Sequence, residues 1–172
     1  MATKIKIKML NHSISVPVVI DKGDWIDLRA AKDIELQGPI CVNARKIQDR
    51  KAIFKDELIP LGVAMEMPPG YEAIVVTRSG TYKSFGVVLC NGEGIIDNPY
   101  KGDNDQWFAH VIPFRDCVIS EGDRICQFRI QLSQKATAWQ KIKWLFSSGI
   151  KLEIVESLGN PDRGGHGKTG IK

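Results

Sequence analysis

The sequence has few of the features that mark a membrane, secreted or metal-binding chain. Its longest apolar stretches are Val16–Ile20 and Gly86–Cys90, far short of the ~20 residues a membrane span needs, so no membrane association is expected. The basic start, Met-Ala-Thr-Lys-Ile-Lys-Ile-Lys-Met-Leu, has no apolar run behind it, so no secretory signal is expected either. The four cysteines, Cys41, Cys90, Cys117 and Cys126, form no Cys-x-x-Cys pair. A chain of this length does not need covalent staples, and the expectation is reduced thiols in a cytoplasm. His12, His110 and His166 lie far apart and show no metal-ligand spacing. The charge is also slight. With 24 Lys+Arg against 20 Asp+Glu the net is +4, enough for a small anionic ligand but too weak and scattered for nucleic acid. There is no internal repeat and no low-complexity tract.

Glycine and proline are plentiful: 16 and 8 in 172 residues, which disfavours a helix bundle and predicts many turns. Residues 3–9 alternate as Thr-Lys-Ile-Lys-Ile-Lys-Met, a half-buried strand with its lysines outward, a pattern that also suits a sheet edge. Further strand-like runs are Ile34–Leu36, Ile59–Met67, Glu72–Thr77, Val87–Leu89, Gly94–Ile96, Trp107–Pro113, Arg124–Leu132 and Lys151–Ser157. Turn signals such as Pro68-Pro69-Gly70, Asn91-Gly92, Asn98-Pro99 and Glu121-Gly122-Asp123 separate them. Short strands at this spacing predict an all-β barrel or sandwich. Residues 40–57 are polar and charged and read as a long hairpin or surface excursion. Residues 134–149 place Trp139, Ile142, Leu145 and Phe146 at helical spacing before Gly149. One inserted helix is expected there, either a lid over barrel core or a surface for a partner protein. From Gly159 the chain is glycine-rich without apolar periodicity. The expected organisation is a β domain over residues 1–158, with insertions at about 40–57 and 134–149, and a flexible arm over 159–172.

Four segments carry groups suited to chemistry. Arg78-Ser79-Gly80 follows a strand and offers a guanidinium fork, a hydroxyl and backbone N–H groups to phosphate oxygens, although Arg-Ser-Gly is also a common turn. Asn91 through Gly102 begins with a hairpin signal whose backbone and amide groups can match a nucleobase edge. In it Asp97 is either a general base or an Asx turn before Pro99, and Tyr100 either packs on a sugar or is a surface aromatic. Arg124 and Gln127 enter a strand at odd separation, hence on opposite faces, and Arg124 is a candidate ion pair for Asp123 or Asp97. The end of the chain, Arg163-Gly164-Gly165-His166-Gly167-Lys168-Thr169-Gly170, fails the P-loop spacing. It can still wrap phosphates, or it is simply a tail.

Taken in order, Asp24–Ala30, Arg78-Ser79-Gly80, Asn91–Gly102, Gly122–Gln127 and the glycine-rich end resemble the five motifs of the trimeric dUTPase family. The most specific part is Gly94-Ile95-Ile96-Asp97-Asn98-Pro99-Tyr100-Lys101-Gly102, and the continuation Gly102-Asp103-Asn104-Asp105 is similar to a bacterial and phage branch. The resemblance implies a jelly-roll β fold, a homotrimer, and hydrolysis of dUTP to dUMP and pyrophosphate with Mg2+, which clears dUTP from the nucleotide pool and supplies the precursor of dTMP. It implies that Asp97 orients the attacking water and contacts the 3′-hydroxyl, that Tyr100 packs under deoxyribose and excludes a 2′-hydroxyl, and that Asn91 with the backbone at Gly94 and Ile96 reads uracil. Arg78, Ser79 and Gly80 would bind phosphates, with Arg163, His166, Lys168 and Thr169 joining from the arm. Asp27 would hold magnesium through water, Gln127 would lie near the α-phosphate or attacking water, and Arg124 would support the site. The family builds each site from three subunits, which makes the tail an intersubunit lid.

This chain departs from the family pattern in places. Asp24-Trp25 replaces a small pair behind Asp27, and His166 stands where an aromatic usually caps uracil. Phe108, just past the third motif, is the preferred substitute. A dCTP deaminase of the same fold is the competing enzyme, and it would need a Glu near the base. A regulatory protein-binding role, as in phage-type members, is compatible with either.

Overall fold

The structure is a computed structural model that describes residues 2–43 and 45–165. Fourteen strands and two short α-helices make it mostly β: β1 Thr3–Met9, β2 Ile26–Arg29, β3 Ile34–Leu36, β4 Ile40–Val42, β5 Lys51–Ile53, β6 Glu57–Pro60, β7 Val63–Glu66, β8 Tyr71–Thr77, α1 Thr81–Phe85, β9 Val87–Leu89, β10 Gly94–Ile96, β11 Phe108–Pro113, β12 Cys117–Ile119, β13 Arg124–Leu132, α2 Ala138–Leu145 and β14 Ile150–Ile154. The principal sheet has the order β10-β8-β13-β2; β14-β1-β7 and β6-β11-β9 form two three-stranded sheets, and β12-β3 and β4-β5 are two-stranded. The strand count and turn spacing led to the expectation of an all-β barrel or sandwich, and the arrangement is the jelly roll that the family resemblance implies. No described helix is long and apolar enough to cross a membrane.

The alternation of β1 buries Ile5 and Ile7 completely, as its period requires. It is not an edge strand. β14 pairs with it in parallel and β7 antiparallel. Its lysines stand on the outer face of the sheet rather than along an edge, and acids there meet them: Lys6 with Glu66 at 2.9 Å, Lys8 with Asp103 at 3.5 Å and Lys4 with Glu153 at 3.8 Å. The run Ile59–Met67 is two strands, not one. Gly62 has φ +66, and a Cβ there would stand 2.8 Å from the Ile14 side chain, so the chain turns between sheets at a point where glycine is required. Residues 40–57 form the exposed β4-β5 hairpin around a 3-10 turn, Ile47–Asp49.

Beneath the sheets lies one core in which Trp107 and Phe128, both fully buried, meet edge to face at 5.3 Å. All four cysteines are free, and burial pushes the Cys126 thiol up to about 12. Helix α2 forms where expected. A capping box starts it: the Thr137 side chain accepts from the Gln140 N–H and the Gln140 side chain accepts from the Thr137 N–H. Its contact with the core is not made by the residues read at helical spacing. Trp139, Leu145 and Phe146 are 63%, 79% and 79% exposed, and Trp144 makes the inward contact, on Tyr71 at 5.4 Å.

Phe128→Ala should therefore cost about 3–5 kcal/mol in urea unfolding. Trp139→Ala should stay within about 0.5 kcal/mol. Equal losses would contradict this placement of the core.

Candidate functional site

The third motif forms the wall of a cavity of about 320 Å³. β10 is the outer strand of its sheet and pairs only with β8 among the described residues. One row of its backbone N–H and C=O groups is therefore left for a ligand. Asn91 stands exposed at one rim, Gly94 and Ile96 supply the strand, and Asp97 and Tyr100 follow it into the cavity. Asn91-Gly92 is a turn, with Gly92 at φ +67, but not a hairpin. β9 pairs with β11 while β10 pairs with β8, so the turn carries the chain between two sheets and the cavity lies between them. Asn98, rather than Asp97, makes the anchoring contacts before Pro99: its amide donates to the Met67 and Pro68 carbonyls at 2.7 and 3.1 Å. That leaves the Asp97 carboxylate to face Arg163 at 3.0 Å.

Tyr100 donates its phenol hydrogen to the Gln106 carbonyl at 2.7 Å. Burial pushes its phenol pKa up, and the charges of Asp105 and Asp162 push it further, so the ring stays neutral. Phe108 lines the same cavity from the start of β11. His110 lines it too, held by the Asp56 carboxylate at 2.5 Å. His166, Lys168 and Thr169 lie outside the described residues.

A second cluster holds the other candidates. Asp27 on β2 binds two guanidinium groups, Arg78 Nε at 2.7 Å and a terminal nitrogen of Arg124 at 3.1 Å. Gln127 sits directly opposite Asp27 in the β13-β2 ladder, hence on the same face. A bulge between Arg124 and Cys126 shifts the register, so Arg124 reaches that face as well and pairs with Asp27, not with Asp123 or Asp97. The expectation of opposite faces fails because parity does not count the extra residue. Ser79 and Gly80 are exposed beside Arg78. The loop is pinned by Thr81, a residue not singled out from the sequence. Its buried hydroxyl accepts from the Arg78 N–H at 3.1 Å and donates to the Ile125 carbonyl at 2.8 Å. Trp25, in place of a small residue, stacks beneath Arg129 at 5.0 Å.

These two clusters do not meet on one chain. Ile96 pairs with Ala73, and Arg78 lies five residues beyond Ala73 on the β8 line. At ~3.4 Å per residue that is roughly 17 Å, with Asp97 displaced in the other direction. Asp27 is shared by two guanidinium groups, and no group of three His, Cys, Asp or Glu side chains that could ligate a metal directly forms among the described residues; a water-mediated contact of the kind expected at Asp27 needs no such group.

Known proteins match this mostly β chain. A family model described as dUTPase matches residues 44–142. The chain belongs to the dUTPase family. It is 48% identical over 171 residues to the SPbeta prophage-derived deoxyuridine 5′-triphosphate nucleotidohydrolase of Bacillus subtilis, covering 98% of this chain and 99% of that one. A deoxyuridine 5′-triphosphate nucleotidohydrolase of Mycobacterium sp. is 30% identical over 132 residues, 76% of either chain. Among solved structures, the dUTPase of Streptococcus mutans superposes with a TM-score of 0.59 at 20% identity, covering 77% of this chain and 99% of that one. The Staphylococcus bacteriophage 80alpha dUTPase gives 0.60 at 16% identity, covering 77% and 92%. Both share the fold with this dUTPase-family chain.

The segment after the third motif is richer than its sequence suggested. Asp105 is 1% exposed. Burial pushes its pKa up, but the backbone N–H groups of Arg163, Gly102, Gly164 and Lys101 more than offset this, and its carboxyl is held below the ordinary value. The Leu158 N–H, the Ser157 hydroxyl and then Lys8 hold Asp103 low in the same way. A carboxyl held low in the folded state contributes stability above its unfolded value, about 3.9, and loses it as pH falls through the lower folded value. As pH falls below about 4 the wild type should lose stability more steeply than Asp105→Asn in acid titration followed by circular dichroism. Parallel curves would contradict the assignment.

Proposed function

We propose that the chain hydrolyses dUTP to dUMP and pyrophosphate, with uracil and deoxyribose in the third-motif cavity. The observation that carries this reading is the convergence of Asn91, the open β10 backbone, Asp97, Tyr100 and Phe108 on one cavity of nucleoside size. Backbone donors and acceptors at Gly94 and Ile96, with the Asn91 amide, present a fixed pattern to the base. A base with the wrong edge would leave buried polar groups unpaired. The neutral Tyr100 ring forms the floor for the sugar and leaves no room for a 2′-hydroxyl. Asp97 is the single carboxylate lining the cavity among the described residues, and it accepts a proton from water as that water attacks the α-phosphorus. The leaving group is pyrophosphate. A deaminase is not favoured, since no Glu lines the cavity among the described residues.

The phosphates need cations that the cavity's own β10 wall does not supply. Arg78 and Arg124, with Ser79, Gly80 and Gln127, form that group, and their distance from Asp97 means that a second chain presents them to each cavity. The homotrimer implied by the family resemblance meets this need. Asp27 holds both guanidinium groups in place until phosphate oxygens compete for them. Magnesium belongs, on this reading, with the nucleotide's phosphates rather than with Asp27.

A panel of deoxynucleoside and ribonucleoside triphosphates assayed for pyrophosphate release tests the proposal. dUTP should be preferred, and Asp97→Asn should lower kcat on the order of 10²–10⁴-fold with KM changed little. Activity that survives Asp97→Asn, or no preference for dUTP, would overturn it. Phe108→Ala should weaken binding of a non-hydrolysable dUTP analogue by about tenfold, the scale of one lost base-stacking contact. The loss should exceed that of His166→Ala; the reverse ranking would move the uracil cap to the arm.

A further inference from the structure

The proposed phosphate cluster depends on where Arg78 is held, and the hydroxyl that holds it belongs to a residue with no contact to the cluster's charges. Thr81 is 2% exposed, at the first residue of α1. A buried hydroxyl without partners is costly, and this one has two. It accepts from the Arg78 N–H at 3.1 Å and donates to the Ile125 carbonyl at 2.8 Å. The Thr81 N–H in turn donates to the Arg78 carbonyl at 3.0 Å. Both backbone polar groups of Arg78 are therefore bonded to one residue, and the Ile125 carbonyl is a longer second acceptor for the Arg78 N–H at 3.5 Å. That carbonyl is within reach because of the bulge. On the β2 side Arg29 faces Arg124 and Leu28 faces Cys126, which leaves Ile125 as the extra residue, and on the β8 side the ladder starts only at Cys126. A bulged residue drops out of the ladder, so its backbone is available to a side chain. Ile125 is itself 1% exposed, and a buried carbonyl needs a partner inside the protein. With its backbone held in this way, Arg78 sets its Nε on Asp27 at 2.7 Å, beside Arg124 at 3.1 Å.

We infer that Thr81 is a positioning residue for Arg78: its hydroxyl ties the loop after β8 to the bulge of β13 and so fixes where the guanidinium stands for the nucleotide's phosphates. Thr81 touches no phosphate itself and acts through Arg78. Side-chain shape alone does not supply this. Valine fills nearly the same space but would leave the Ile125 carbonyl and the Arg78 N–H without their short partner, whereas serine keeps the hydroxyl. The tie lies wholly within one chain and holds whichever subunit's cavity the arginines serve. The phosphate half of this inference rests on the dUTP-hydrolysis reading; the tie itself does not.

Amide hydrogen exchange in the full assembled chain reads the tie without any nucleotide. Exchange at the Arg78 N–H should be about tenfold faster in Thr81→Val than in the wild type, and Thr81→Ser should stay within about threefold of the wild type. An Arg78 N–H that exchanges at the unprotected rate in the wild type, or equally fast in the wild type and Thr81→Val, would overturn the tie. A double-mutant cycle on binding of a non-hydrolysable dUTP analogue reads the positioning. Thr81→Val alone should weaken binding about tenfold, Thr81→Ser less than about threefold, and Thr81→Val in an Arg78→Ala background less than about twofold. Equal losses in both backgrounds would show that Thr81 serves the fold alone and overturn its positioning role. A wild type with a protected Arg78 N–H but no affinity for the analogue would count against the dUTP reading and leave the tie standing.

Discussion

The pairing of β8 with β10 on one side and β13 on the other fixes where every charged group of the site can stand. β10 ends at Asp97, and β8 runs the opposite way to Arg78. Their antiparallel register drives the proposed water-activating acid and the phosphate-binding arginine to opposite ends of one ladder. No side-chain rotamer on a single chain closes a gap of several residue spacings. β13 then aligns Gln127 with Val76 and Asp27, which gathers the remaining polar groups at the Arg78 end. On the proposed reading the chain carries two half-sites, one for a nucleoside and one for phosphates, and the sheet holds them apart.

Each half-site arrives with its electrostatics settled. In the phosphate half, Asp27 sits between two guanidinium groups, so neither arginine swings freely in water before a ligand comes. The entropy of ordering them is lost on folding rather than on binding. In the nucleoside half, Asn98 and Tyr100 spend their hydrogen bonds on the Met67, Pro68 and Gln106 carbonyls, which stiffens the wall around Asp97. The Arg163 guanidinium stands against Asp97 on that wall. On the proposed reading the Arg78 cluster serves another copy.

Much of this was legible in the sequence, and the misses have physical causes. Strict alternation located β1, and the long apolar-polar run located β13, because period two leaves no other burial pattern. The same reasoning joined β6 to β7 across Gly62, since a glycine between two apolar runs does not announce that its φ is positive. β2, β12 and α1 are too short for periodicity to show. The bulge near Ile125 defeated a parity argument that was sound for an unbroken strand. Asn91-Gly92 looked like a hairpin because local turn chemistry says nothing about which sheet each flanking strand will join. The members of the nucleoside cavity were recognisable from the order of the third motif. The bonds from Asp103, Asn104 and Asp105 to residues 157–164 were not, because these three read locally as a polar turn and their partners lie over fifty residues away.

The central claim is that a working site needs the nucleoside half of one chain and the phosphate half of another. Mixing decides it. Asp97→Asn chains and Arg78→Ala chains, each inactive alone, should regain dUTP hydrolysis when unfolded and refolded together, because some interfaces then join an intact cavity to an intact arginine cluster. Activity no greater than the sum of the two variants refolded separately, in a preparation shown to contain mixed oligomers, would contradict the account.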